Sequence, residues 1–188
     1  MKAVVLSVHP QWCEKIASSK KTIEVRKSAP KEVPFKAYIY MTKKKPYMLT
    51  FAGNGKMRVN NGMVIGEFIC DKVYKYEPHV ILCAYYEVNG AYVKENLRYN
   101  SGTCLSYEDM VNYSNGKTLY GWHISDLKIY DKPKELSEFY TIAESGSDCC
   151  CGCVWHETPL EELPCRTCTG ERKYLSRPPQ SYMFVEEA

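Results

Sequence analysis

Lys21, Glu24 and Arg26 stand at the offsets Lys-x-x-Glu-x-Arg, which puts two cations and one carboxylate within six positions. Such a set can hold a polar or anionic ligand, and its carboxylate can accept a proton or orient a water molecule. From Thr22 to Arg26 the side chains alternate polar and apolar, as they do in a strand, so Ile23 and Val25 share one face while Thr22, Glu24 and Arg26 share the other. On that face Glu24 and Arg26 lie roughly 6.6 Å apart along the strand, near enough to flank one ligand or to pair with each other. Lys21 falls in the turn before the strand, where parity does not set its direction.

A second carboxylate, Glu67, interrupts another strand-like run. It has the parity of Met63, Ile65 and Ile69, which read as core. An acid there sits at a rim or needs charged partners, because an unpaired buried carboxylate is costly. Lys21 and Arg26 are the expected partners. One reading is a salt bridge that merely closes the fold, and the other is a pocket floored by Lys21, Glu24 and Glu67. His123, which follows Trp122, is read mainly as a structural group, with a catalytic role as the lesser alternative.

The third constellation is sulfur. Cys149-Cys150-Cys151-Gly152-Cys153 and Cys165-Arg166-Thr167-Cys168 place six thiols within twenty positions. The second pair has the C-x-x-C spacing of zinc knuckles, and tetrahedral zinc needs two such pairs. Cys151, Cys153, Cys165 and Cys168 are the expected ligands of a structural zinc, with Cys149 and Cys150 as alternates; plain reduced thiols or redox pairing is the competing reading.

These groups need a scaffold. Val4 to Val8 suits a buried strand, and Pro10 suits the first turn of the helix that follows, whose Trp12, Ile16 and Ala17 face inward. Phe35 to Met41 alternates Ala37, Ile39 and Met41 with Lys36, Tyr38 and Tyr40, a strand with a half-exposed aromatic face. The patch Lys43-Lys44-Lys45-Pro46 ends it. Turn residues at 53–55 and 60–62 flank a basic hairpin or loop before the strand 63–69. Residues 74 to 120 read as an insertion that includes a helix capped by Ser106 and ending near Asn115-Gly116. Trp122 to Tyr130 is then a strand, Pro133 to Tyr140 a connection, and Gln180 to Val185 a closing strand. The implied class is α+β, a small mixed barrel with flanking helices.

At 188 residues and 45% hydrophobic, the chain can bury one good core. No stretch approaches a membrane span and no secretory leader is evident, so a cytoplasmic protein with no membrane contact is expected; ten cysteines in that setting argue for thiols or metal over disulfides. Charge is split along the chain. Residues 1 to 60 carry thirteen Lys/Arg against three Glu, net +10, which leaves −7 for the remainder of a chain at +3 overall. Clustered cations attract phosphates through counterion release, so a polyanion is one expected partner; a solvated surface of intermixed charge is the other reading.

The Lys-x-x-Glu-x-Arg segment resembles the ASCH family, whose fold is related to the PUA domain. Val4-Val5-Leu6-Ser7-Val8-His9-Pro10 with Gln11-Trp12-Cys13-Glu14-Lys15-Ile16 resembles that family's first strand and helix. The stretches 35–40, 64–68 and 121–125 resemble its later strands in order, while Ser19 stands where the family usually has glycine. The resemblance implies a PUA-like domain over residues 1–148 and 176–188, with the insertion at about 74–120, and the cysteine spacing marks 149–175 as a zinc-knuckle-like excursion. It also implies binding of RNA or a modified nucleoside at a polar cleft. Lys21, Arg26, Lys43, Lys44, Lys45 and Arg177 would hold phosphate or frame the cleft, Tyr38 and Tyr40 would stack on bases, and Gln180 would read a base edge. An enzymatic branch of the superfamily cleaves acetylcytidine nucleosides with a lysine, a threonine three residues on and a later glutamate. Lys21 and Glu67 resemble the first and last, but Glu24 replaces the threonine. A hydrolase of amidohydrolase or ribonuclease type, acting on nucleosides or RNA with Lys21 and Glu24 or Glu67, is therefore the alternative function, and a zinc-stabilised protein adaptor a third.

Overall fold

The computed structural model describes residues 3–30, 32–51, 57–77, 84–88, 91–95, 102–142 and 172–187. Its centre is β1 (Ala3–Val8), which is β-branched and buried on both faces, so it can be covered on each side only by other elements. It pairs in parallel with β3 (Phe35–Met41) and antiparallel with β14 (Tyr182–Glu187). The sheet extends through β6 (Val64–Cys70) to β11 (Ser125–Lys134) on one side, and through β12 (Phe139–Ile142) to β13 (Arg172–Tyr174) on the other. A second sheet has the order β2 (Ile23–Arg26), β10 (Leu119–His123), β7 (Val73–Tyr76), β8 (Ala84–Val88) and β9 (Ala91–Glu95). The basic segment forms the expected hairpin, β4 (Leu49–Phe51) with β5 (Met57–Val59).

The sheets stay open, so the expected closed barrel is replaced by two facing layers among the described residues. Between them lies the main core, with Val4, Leu6, Val8, Ala37, Ile39 and Phe68 packed against Trp122 and against Cys13 and Ile16 of α1 (Pro10–Ala17). Phe35 meets the Trp122 ring edge-on at 5.1 Å. A second core covers the other face of the large sheet, where Tyr38 and Tyr40 are buried with Val5, Phe139 and Leu136. The third packs Ile23 and Val25 of β2 against Tyr74, Tyr76 and Met110 of α2 (Tyr107–Ser114).

Two boundaries differ from the sequence expectation. The run from Trp122 to Tyr130 is not one strand: β10 ends at His123, Ile124 N–H extends its ladder to β2 with a bond to Thr22 O at 2.8 Å, and the chain then joins the first sheet at Ser125, with Asp126 at φ 47°. The supposed connection after Pro133 is mostly regular, with β11 running to Lys134, a 3-10 turn over Leu136–Glu138 and β12 following directly. By contrast, α2 starts and stops where its residues indicate. Ser106 and Asp109 form a reciprocal capping box, and Asn115 ends the helix in the left-handed conformation.

Candidate functional site

The end of α1 delivers Lys21. Ser19 N–H bonds Ile16 O at 2.8 Å and Lys20 N–H bonds Lys15 O at 2.9 Å, the paired reversals of a Schellman turn, with Ser19 at φ 56° in the position that favours glycine. Lys21 N–H also reaches Lys15 O, so the chain folds back under the helix before β2 begins. From the other side, Gly102 O accepts from the N–H groups of both Thr22 and Ile23. Gly102 has φ 73°, and a Cβ there would collide with Thr22 Oγ1. The outcome is a lysine only 2% exposed, whose Nζ donates to Thr103 O at 2.7 Å and lies 3.4 Å from Glu24 Oε2.

Glu24 and Arg26 occupy the face of β2 predicted for them, turned into the gap between the sheets. Arg26 Nη2 lies 3.0 Å from Glu24 Oε1 and donates to Ser7 O at 2.6 Å. Lysine, glutamate and arginine thus form one buried chain of charge. Desolvation is the largest influence on the Lys21 amine and holds it below the ordinary lysine value, against the opposing pull of Glu24. Glu24 Oε2 and Arg26 Nε have no hydrogen-bond partner among the described residues. These three side chains line a cavity of about 570 Å³ together with Ser7, His9, Trp12, Thr42, Lys44, Asp109, Tyr113 and Gln180. Residues 178–180 are strapped over it, since Ser7 Oγ donates to Pro179 O at 2.7 Å and Ser7 N–H bonds Ser181 O.

The remaining candidates divide. Gln180 and Lys44 line the cavity, while Lys43, Lys45 and Arg177 are exposed outside its lining. Tyr38 and Tyr40 are not a stacking face: they are 4% and 2% exposed, and Tyr38 packs on Phe139 at 4.7 Å between ring centroids. Glu67 does not meet Lys21 or Arg26. A register shift opposite Ile39 and Tyr40 inserts Ile65, so Ile65 and Phe68 both reach the main core and Glu67 falls beside Tyr38 on the opposite side of the sheet. There it accepts from Tyr130 Oη at 2.5 Å and faces Lys36 at 3.4 Å; against the opposing effect of burial, these partners hold its carboxyl below the usual range. His123 pairs with Asp71 at 2.7 Å and is absent from the cavity lining. Cys149, Cys150, Cys151, Cys153, Cys165 and Cys168 lie outside the described residues, and within those residues no group of three or more His, Cys, Asp or Glu could hold a metal.

Trp12 is only partly where its helical stripe points it. Cys13 and Ile16 are fully inside the main core; Trp12 packs against that core while remaining half-buried on the cavity wall, with the Lys15 and Lys21 ammonium groups 4.8 and 5.3 Å from its ring. Tyr113 adds a second aromatic, with Lys27 over its ring at 4.8 Å. The only advance signal for either was an aromatic at the margin of a helical stripe.

No family model matches this chain, and no curated protein is significantly similar to it in sequence. Solved structures are. A serine-to-alanine variant of the ASCH protein from Zymomonas mobilis aligns over 98% of this chain and 89% of its own with a TM-score of 0.55 at 17% identity. The fold is that of an ASCH domain. A tyrosine-to-phenylalanine variant of the same protein aligns over 72% of this chain and 77% of its own, with a TM-score of 0.50 at 20% identity. Within this ASCH fold, the Lys-x-x-Glu-x-Arg segment forms part of the cavity wall, and no described helix is long and apolar enough to cross a membrane.

Proposed function

We propose that this chain is an RNA- or modified-nucleoside-binding protein whose ligand enters the cavity beside Lys21, Glu24 and Arg26. The observation that carries this reading is the buried charge chain itself: a cavity wall in which Glu24 Oε2 is held only by its ion pair with Lys21, and Arg26 Nε has no hydrogen-bond partner among the described residues. Adjacent donor and acceptor groups match the edge of an unstacked base, and Trp12 with Tyr113 supplies the aromatic surface on which such a base stacks. Gln180 adds a further amide. The exposed Lys43, Lys45 and Arg177 then act as outer cations that draw in a phosphate backbone. Convergence of these groups on one cavity favours a ligand site over a protein adaptor. Calorimetric titration with ribonucleosides and modified nucleosides, and anisotropy of single-stranded RNA at two salt concentrations, tests it: measurable binding that weakens with salt for RNA is expected, and absence of both rejects it.

A hydrolase remains the second reading because of one feature, the desolvated Lys21 amine beside Glu24, which is suited to proton transfer. We also propose a structural zinc held by Cys151, Cys153, Cys165 and Cys168, with Cys149 or Cys150 as substitutes, on the strength of their spacing. Metal analysis of protein purified without chelator should return about one zinc per chain; a content near zero removes it.

A further inference from the structure

Around His9 the cavity has an excess of donors. Thr42 is fixed beside the end of β1 by its N–H to Val8 O at 2.9 Å, and its Oγ1 is buried without a hydrogen-bond partner among the described residues. Arg26, 7% exposed, presents Nε equally unpartnered. Lys44 lines the same cavity and, with Arg26, acts electrostatically on the His9 ring. His9 itself precedes α1 without capping it by its side chain, so the positive end of that helix adjoins the same region. The opposing charges are Glu24, already shared between Lys21 and Arg26, and Asp109, engaged with Ser106.

Lys44 is not there by chance. The Asn61 side chain accepts from Met48 N–H at 2.8 Å and donates to Lys44 O at 2.7 Å and Pro46 O at 3.1 Å, which pins the loop after β3. Lys43, by contrast, lies over Gly62, where an added Cβ would come within 2.8 Å of its Cε. Of the three consecutive lysines, only the middle one lines the cavity.

We propose that Arg26 Nε, Thr42 Oγ1, Lys44 and His9 form a seat for a phosphate carried by the ligand, with Asn61 positioning Lys44, so that the site takes nucleotides in preference to nucleosides. This deepens the binding reading above and rests on it. The phosphate has two possible sources, a mononucleotide or an internal linkage of a strand, and both offer the same anionic oxygens.

The test is calorimetric titration of the whole chain with ribonucleosides, their 5′- and 3′-monophosphates, and dinucleoside monophosphates. At least about tenfold tighter binding of a phosphorylated ligand than of its nucleoside is expected, as one or two charge-assisted hydrogen bonds supply that much. Preference for the dinucleotide assigns the seat to a strand, and preference for a monophosphate assigns it to a mononucleotide. Lys44→Ala should reduce the preference severalfold with the unfolding midpoint near wild type, and Asn61→Ala should reduce it together with some loss of stability, because its loop hydrogen bonds are removed as well; Lys132→Ala, exposed on β11, should leave the preference unchanged. Equal affinity for nucleoside and nucleotide would overturn the seat yet leave the binding reading intact. No binding of any ligand would remove both. A preference untouched by Lys44→Ala would also overturn it.

Discussion

Lys21 Nζ and Glu24 Oε2 stand 3.4 Å apart with their side chains 2% and 8% exposed, and Glu24 simultaneously holds Arg26 at 3.0 Å. One carboxylate therefore neutralises two buried cations. Removing its charge leaves both without compensation, which for buried pairs costs about 3 kcal/mol or more. Glu24→Gln should lower unfolding stability by that amount in denaturant titration; a loss below about 1 kcal/mol would show that solvent already screens the pair.

Ser19 occupies a left-handed position at φ 56° as the turn residue after α1. An L-residue pays about 1–2 kcal/mol there, while glycine costs about 0.5–1 kcal/mol in chain entropy. Ser19→Gly should therefore stabilise the protein by roughly 0.5–1 kcal/mol without altering ligand affinity. A fall in the unfolding midpoint would refute this account of the turn.

Gly102 is the opposite case. Its carbonyl anchors the start of β2, and both its φ of 73° and Thr22 Oγ1 exclude a side chain. Gly102→Ala should cost about 1–2 kcal/mol or more and weaken ligand binding by displacing Thr103 O from Lys21. Unchanged stability in thermal unfolding would count against the turn as the anchor of Lys21.

Glu67 gives a pH prediction. Its folded carboxyl lies below its ordinary value of 4.5 because of Tyr130 and Lys36, so its stabilising contribution is complete above that value and is lost as pH falls through the lowered one. Tyr130→Phe should cost on the order of 1.5 kcal/mol at neutral pH and flatten the loss of stability on acidification below about 4.5. Denaturant titrations at pH 6.5 and 3.5 compare the two proteins. An equally steep acid dependence in the variant would mean that another carboxylate governs it.

The chain should show little or no acetylcytidine deacetylation. Position 24 lacks a hydroxyl nucleophile, and Glu67 is engaged with Tyr130 and Lys36 outside the cavity. Glu24→Thr would restore only the hydroxyl, at the cost of the ion pairs. Robust wild-type turnover in a chromatographic assay would show that a different residue serves as nucleophile.

What could be read in advance follows how local each determinant is. The two faces of β2 follow from alternation, and the Ser106 cap from a four-residue rule, so both were legible. Glu67 was misplaced because a single inserted residue, Ile65, reverses parity, and nothing in 63–69 marks the bulge. The change of sheet around Ile124 depends on partners distant in sequence, Thr22 in one sheet and Ile69 in the other, so an alternating pattern conceals it. The apolar stripe of its helix points Trp12 at the core, which it does meet; that its edge also borders a cavity depends on β2 and on residues 178–180.

The strap of residues 178–180 has a bearing on how the protein is made. Its tie to Ser7 and the pairing of β14 with β1 join the first strand to one synthesised about 180 residues later. Contacts so distant in sequence are slow to form, and β1 must wait for them with one of its hydrogen-bonding edges unmatched. The cavity is therefore assembled from segments more than 170 residues apart in the chain. A nascent chain that has not yet extended through β14 already displays its basic segment while the cavity is still unfinished.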